Sequence, residues 1–228
     1  MNIENDDFMK TLIKYILLLA AVMFLVGCSR QYAPSAAQIM NAKEGENFGI
    51  GLHMKTGDLY ESDMVGYYEG RTFSGDENNW NIEWFAYSRY SYFVLGMNFD
   101  NMAPRLVGGL RTDYLGLFGW YGLPVTDENK DDHWPAGAML VEQLPISEKF
   151  KVGVSEYISK NMFPIDETTE GHSNDSYVNM YNEVGAGLYA MYSNTVSLEF
   201  RVGKELGEPN YRYYLLTNIA WNSPPKKK

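Results

Sequence analysis

The sequence predicts an all-β fold, an antiparallel up-and-down β-barrel of about ten strands within a range of eight to twelve. Three observations predict it. From Asn47 onward, apolar residues recur at every second position, the period of a strand with two unlike faces, and long 3.6-residue periods are absent. Counted back from the C-terminus, the connections alternate between long and tight. Aromatic residues make up 15% of the chain, 18 of them Tyr, and these types suit a pleated, half-buried surface.

The elements follow in order. Phe48, Ile50, Leu52 and Met54 alternate with Asn47, Gly49, Gly51 and His53. Trp80, Ile82, Trp84 and Ala86 alternate up to an expected turn at Ser88-Arg89. Ser91, Phe93, Leu95, Met97 and Phe99 come next. Val184, Ala186, Leu188 and Ala190 are separated by Ser193-Asn194 from Val196, Leu198, Phe200 and Val202, which reads as a tight hairpin. Eleven stretches qualify: 47–55, 64–73, 80–87, 91–99, 104–111, 115–123, 136–144, 149–159, 177–192, 195–203 and 211–221. A single-chain membrane barrel wants an even number, so one of them is surplus or one is missed. The stretch 104–123 carries Gly108, Gly109, Gly116, Gly119 and Gly122, and bulges or bends are expected there. Loop 204–210 is moderate and loops 160–176 and 124–135 are long; 193–194 and Pro145–Glu148 are short.

Alternation does not say which face is wet. A soluble ligand-binding barrel holds its apolar side chains inside, whereas a membrane barrel turns them to lipid. The second face decides. It consists of Gly, Ser, Thr, Asn and Tyr with isolated charges at Glu83, Glu183, Glu199 and Arg201, while lysine is scarce in the strands. Small residues with a few opposite charges suit a crowded lumen better than a solvated surface, which is normally rich in Lys and Glu. Tyr90, Tyr92, Tyr192, Tyr213, Tyr214 and Trp221, near strand ends, are candidate interfacial girdles.

The N-terminus has a different character. Lys10 and Lys14 precede an apolar run from Tyr15 to Val26, too short for an ordinary spanning helix and suited to a signal peptide. Glu4, Asp6 and Asp7 fit that signal poorly, which makes Met9 the expected start. Leu25-Val26-Gly27-Cys28 then resembles the lipobox of bacterial lipoproteins. The resemblance implies cleavage between Gly27 and Cys28 and acylation of Cys28, palmitate included. Cys28 is the sole cysteine, so no internal disulfide forms, and acylation would block its thiol. Ser29 follows it; in that family an Asp there retains the protein in the inner membrane, so Ser implies the outer membrane of a Gram-negative cell. The expected organisation is a signal peptide over 1–27, a lipidated tether over 28–46 with a short helix around Ala36–Ala42, a barrel over 47–221, and a basic tail over 222–228.

Over 47–221 the pattern resembles small outer-membrane barrels of the OmpA, OmpX and OmpW kind, with Trp221 near the chain end as in their assembly signal. The tail Asn222–Lys228 departs from them, as does a lipid anchor on a barrel.

The formal net charge of −10 excludes a basic nucleic-acid footprint. Expected partners are membrane lipid and, for the acidic loops around Asp127–Asp132 and Asp166–Glu170, surface glycan or lipopolysaccharide bridged by divalent ions; no protein partner is indicated. No cofactor is expected, and the three histidines, His53, His133 and His172, lack metal-ligand spacing. Gly-x-Ser-x-Gly is absent. Glu183, Glu199 and Arg201 share the inner face of one hairpin as a candidate lumen charge network, either a structural plug or a gate. The reading is a non-enzymatic, lipid-anchored outer-membrane barrel with a structural, surface-interaction or minor-transport role. Two alternatives stand beside it: a periplasm-facing lipocalin-like barrel for an apolar ligand, and a barrel enzyme acting on envelope lipid with His53 as general base.

Overall fold

A computed structural model describes residues 32–57, 79–100, 103–122, 134–166 and 176–222. Ten strands form the wall: β1 (Gly45–Gly57), β2 (Asn79–Tyr90), β3 (Phe93–Asp100), β4 (Ala103–Arg111), β5 (Leu115–Gly122), β6 (Ala136–Pro145), β7 (Phe150–Asp166), β8 (Ser176–Tyr192), β9 (Val196–Glu205) and β10 (Tyr211–Asn222). Each pairs antiparallel with its sequence neighbours, and β1 pairs with β10, so the sheet closes. Closure removes the free edges that an open sheet would leave unpaired. A short helix, α1 (Ala36–Asn41), precedes β1.

The predicted barrel and its strand number are observed. The eleventh candidate, 64–73, lies outside the described residues; β1 pairs directly with β2. The β2–β3 turn falls at Ser91–Tyr92 rather than Ser88-Arg89, which are paired with Leu95 and Val94. Ser91 takes the left-handed backbone (φ 53°), as do Ser193 and Asn194 in the β8–β9 turn (φ 53° and 51°). Left-handed residues match a tight connection to the twist of its flanking strands. β7 and β8 stay paired out to Asp166 and Ser176, so the connection expected over 160–176 is reduced to 167–175. The added length includes Lys160 and Asn161, where the apolar-polar contrast that reveals a strand is lost.

No bulge interrupts 104–122: Arg105–Arg111 pairs residue by residue with Gly122–Gly116. Glycine serves close approach here. Gly153 faces Tyr189 and Gly185 faces Tyr157 across β7 and β8, and a Cβ on Gly153 would lie 2.3 Å from Tyr189 Cζ. Inward glycines thus make room for inward rings from the next strand.

The alternation sorts the two faces. Along β9, Val196, Leu198 and Phe200 are exposed while Ser197, Glu199 and Arg201 are buried. Because the period is two, a slip of one residue would turn Glu199 and Arg201 outward. Trp84 (58% exposed), Leu188 (63%) and Phe200 (48%) belong to an apolar outer belt. Tyr90, Tyr92, Tyr192, Tyr213 and Trp221 stand on that outer face, but Tyr214 is buried inside; its neighbour Tyr213 takes the outward parity. One end of the barrel carries turns 91–92, 112–114, 146–149 and 193–195 beside Gly45. The other carries connections 58–78, 123–135, 167–175 and 206–210, together with the short 101–102.

Candidate functional site: a lumen filled by the N-terminal segment

Residues 32–42 lie inside the barrel, and every one of them is buried. Of the stretch expected as a lipidated tether, 28–46, residues 32–42 are thus packed in the lumen, and β1 begins within it at Gly45. The local reason is a helix start. Ser35 is the N-cap of α1 and its hydroxyl accepts from Gln38 N, a Ser-x-x-Gln arrangement of the capping-box kind. Ala36 and Ala37 keep the helix thin, and Ile39 and Met40 give it an apolar flank. A helix of one turn and a half is unstable alone, so the lumen wall must hold it.

The segment runs lengthwise. Near the long-loop end of β1, Lys55 Nζ donates to the Tyr32 hydroxyl (2.9 Å). At the tight-turn end of β4, Arg111 donates to the carbonyl oxygens of Met40 and Ala42, the latter at 3.0 Å. The chain thus descends from the long-loop half to the tight-turn mouth and turns there into β1.

Between those ends the wall grips it through buried charges. Glu199 accepts from Ser35 Oγ (2.6 Å), from Ala37 N (3.3 Å) and from Arg201 Nε (2.5 Å). Arg201 in turn donates to the carbonyls of Ala33 (3.0 Å) and Pro34 (2.5 Å). Gln38 Nε2 donates to Glu83 (2.5 Å) and to Asn218 Oδ1 (2.8 Å). Glu83 also accepts from Arg105 (2.5 Å) and Asn98 (2.7 Å), and Asn98 takes a further bond from Tyr87.

Higher up, Glu183 accepts from the hydroxyls of Tyr157 (2.8 Å) and Tyr214 (2.8 Å) and faces Arg212 at 3.6 Å, while Arg212 donates to Glu205 at 2.7 Å. Buried charge balances among the described residues: Lys55, Arg105, Arg111, Arg201 and Arg212 against Glu83, Asp100, Glu183, Glu199 and Glu205. Unpaired ions would be costly in such an interior, whereas paired and hydrogen-bonded ones are tolerated.

Of the expected lumen trio, Glu199 and Arg201 form an ion pair. Glu183 is buried in the same lumen but belongs to the second cluster, with Tyr157, Tyr214 and Arg212. His53 Nε2 lies 3.3 Å from Asn218 Oδ1 and 3.4 Å from Glu83, and no serine is among its bonded partners. Gly27, Cys28, His133, His172, the loop around Asp127–Asp132 and Lys226–Lys228 lie outside the described residues. Among the described residues no cluster of three or more His, Cys, Asp or Glu is placed to hold a metal. Lys55, Arg105, Arg111, Arg212, Asn98 and Gln38 belong to the lumen site as well, though no motif in the sequence marks them. For the strand residues the available signal was parity, since each falls on the same inward alternation as Glu199.

The architecture defines a closed, internally filled, ten-stranded antiparallel barrel. No family model matches the chain, and no curated protein matches it. Among solved structures it is similar to neisserial surface protein A, at 11% identity over 78% of this chain and 96% of that one, with a TM-score of 0.41. It is also similar to the attachment invasion locus protein of Yersinia pestis (11% identity, 78% and 100% covered, TM-score 0.37) and to the N-terminal barrel domain of Pseudomonas aeruginosa OprF (8%, 78% and 100%, TM-score 0.35).

Proposed function

We propose that this chain is a lipid-anchored outer-membrane β-barrel with a non-enzymatic structural or surface-interaction role, closed by its own N-terminal segment. One observation carries the reading: the wall is inverted relative to a soluble barrel. Val, Leu, Phe and Trp side chains form most of its exposed belt, while five acidic and five basic side chains among the described residues are buried inside. In water such a belt would drive association, since soluble monomers rarely expose apolar patches beyond a few hundred Å². In hydrocarbon it is the favourable surface. Strands of 8 to 17 residues bracket the roughly 9–11 that a tilted strand needs to cross a bilayer. In this orientation the tight turns face the periplasm and the long connections face out, where acidic loops can meet divalent-bridged glycan or lipopolysaccharide.

The lipocalin-like alternative needs an apolar lumen with room for a guest, and this lumen carries buried ion pairs and is occupied by residues 32–42. An enzyme on His53 needs an adjacent nucleophile, and its neighbours are an amide and a carboxylate. Minor transport would require α1 to leave.

The test is a Cys28→Ala variant carrying a replacement cleavable leader, followed by fractionation. Retention in the outer membrane with heat-modifiable gel mobility is expected. A folded monomer soluble without detergent refutes the membrane reading. Separately, incorporation of a palmitate analogue that persists in Cys28→Ala refutes the anchor.

A further inference from the structure

A groove of about 810 Å³ crosses the outer face from β6 toward β10. Its walls are largely apolar, with Val154, Leu188, Ala190, Leu198 and Phe200 among them, and Glu142 is the one Asp, Glu, Lys, Arg or His among the residues that line it. Glu142 lies on the outward parity of β6, between Leu140 and Leu144, and pairs across the sheet with Leu115 and Val154. Its side chain makes no hydrogen bond or ion pair with any described residue. The groove thus has the size of a small-molecule site and a single fixed charge toward its tight-turn end, where Tyr114 and Leu144 complete the wall.

We infer that this groove binds a phospholipid bearing a primary ammonium, its acyl chain laid along Val154, Leu188, Leu198 and Phe200 and its ammonium on Glu142. Two independent observations select that occupant. An apolar groove on a lipid-facing wall is filled by hydrocarbon, because leaving it empty forfeits dispersion contacts. A carboxylate beside that hydrocarbon is stabilised by a cation, and the headgroup of a lipid anchored in the same groove brings one within reach. An anionic headgroup would instead set like charge against Glu142. Ala190 keeps the floor low; a large side chain there would displace the acyl chain.

This rests on the reading that the outer face meets lipid. The experiment is native mass spectrometry of the full processed chain in detergent, offered phosphatidylethanolamine, its N-acetylated derivative or phosphatidylglycerol. Retention of phosphatidylethanolamine about fivefold above the other two is expected, the scale of one partly exposed ion pair. That preference disappears in Glu142→Gln, and retention of all three falls in Ala190→Trp. Equal retention of phosphatidylethanolamine and its N-acetylated form by the unmodified protein overturns the site, with no dependence on how the variants fold. A protein that enters bilayers yet shows equal retention defeats this site alone, whereas one that does not enter bilayers defeats the membrane reading itself.

Discussion

The hydroxyl of Ser35 donates to the carboxylate of Glu199 over 2.6 Å, joining residues 164 positions apart in the chain. That bond ties the N-cap of α1, in the N-terminal segment, to the ninth strand of the wall. The same carboxylate holds Arg201, which itself binds the segment at two carbonyls. The anchor of the plug and the main ion pair of the lumen are therefore one structure.

Glu199→Gln separates the charge from the shape. The amide still accepts from Ser35 but no longer neutralises Arg201, which is buried with it. Removing one partner of a buried pair costs about 3–5 kcal/mol, so the denaturant midpoint in micelles should fall by that equivalent. A loss under about 1 kcal/mol would mean that Arg201 finds its compensation in the Ala33 and Pro34 carbonyls alone.

Much of this wall is legible in the sequence, and the reason is physical. Where Val196–Gly203 alternates, each residue's face follows from its parity, so the burial of Glu199 and Arg201 is implied once the apolar side is assigned outward. Tyr214 shows the limit: position near a strand end suggested a girdle, yet parity with Arg212 and Leu216 sends it inward. The plug is harder to see. Six helical residues have no amphipathic period to display, and Gln38 looks soluble until Glu83 and Asn218 are known to face it. The capping pattern Ser35-Ala36-Ala37-Gln38 was the one local trace.

Because α1 fills the lumen, the intact protein should not conduct. A variant lacking residues 32–42 should show steady ion conductance in planar bilayers, with weak selectivity between cations and anions, since buried acids and bases are equal in number on the wall. Heat-modifiable mobility of the variant confirms that the barrel itself is formed. A deletion variant that is folded and inserted but electrically silent would show that wall side chains alone close the lumen.

The direction of the plug fixes a topology. Tyr32 sits beside Lys55 in the long-loop half, and Cys28, four residues earlier, can be no more than about 14 Å away along an extended chain. An epitope placed between Ser29 and Tyr32 should therefore bind antibody on intact cells. Recognition only after permeabilisation would mean that the segment enters from the tight-turn side.

The ring-over-glycine contacts make a packing prediction. Gly153→Val should clash with Tyr189 and lower stability by about 1–3 kcal/mol, the usual cost of overpacking. The double variant Gly153→Val with Tyr189→Ala should recover part of it, measured by the same denaturant midpoints. Additive losses would show that the ring and the glycine are independent.

Glu156 gives a sign that separates the two solvents the outer face could meet. It stands on the exposed side of β7 between Val154 and Ile158, opposite Leu140 and Ala186, and bonds to no described residue. On a lipid-facing wall an acidic side chain is unfavourable, less so than the roughly 2–4 kcal/mol of a basic one at the bilayer midplane. Glu156→Leu should therefore stabilise the barrel in phospholipid vesicles by about 1 kcal/mol, and Glu156→Lys should destabilise it by about 2 kcal/mol. In water neither change would matter much, since surface substitutions usually stay within about 0.5 kcal/mol, and the leucine would promote aggregation. Reversible urea titrations in vesicles decide between them: a midpoint that rises with Leu and falls with Lys means hydrocarbon at this position, and unchanged midpoints mean water.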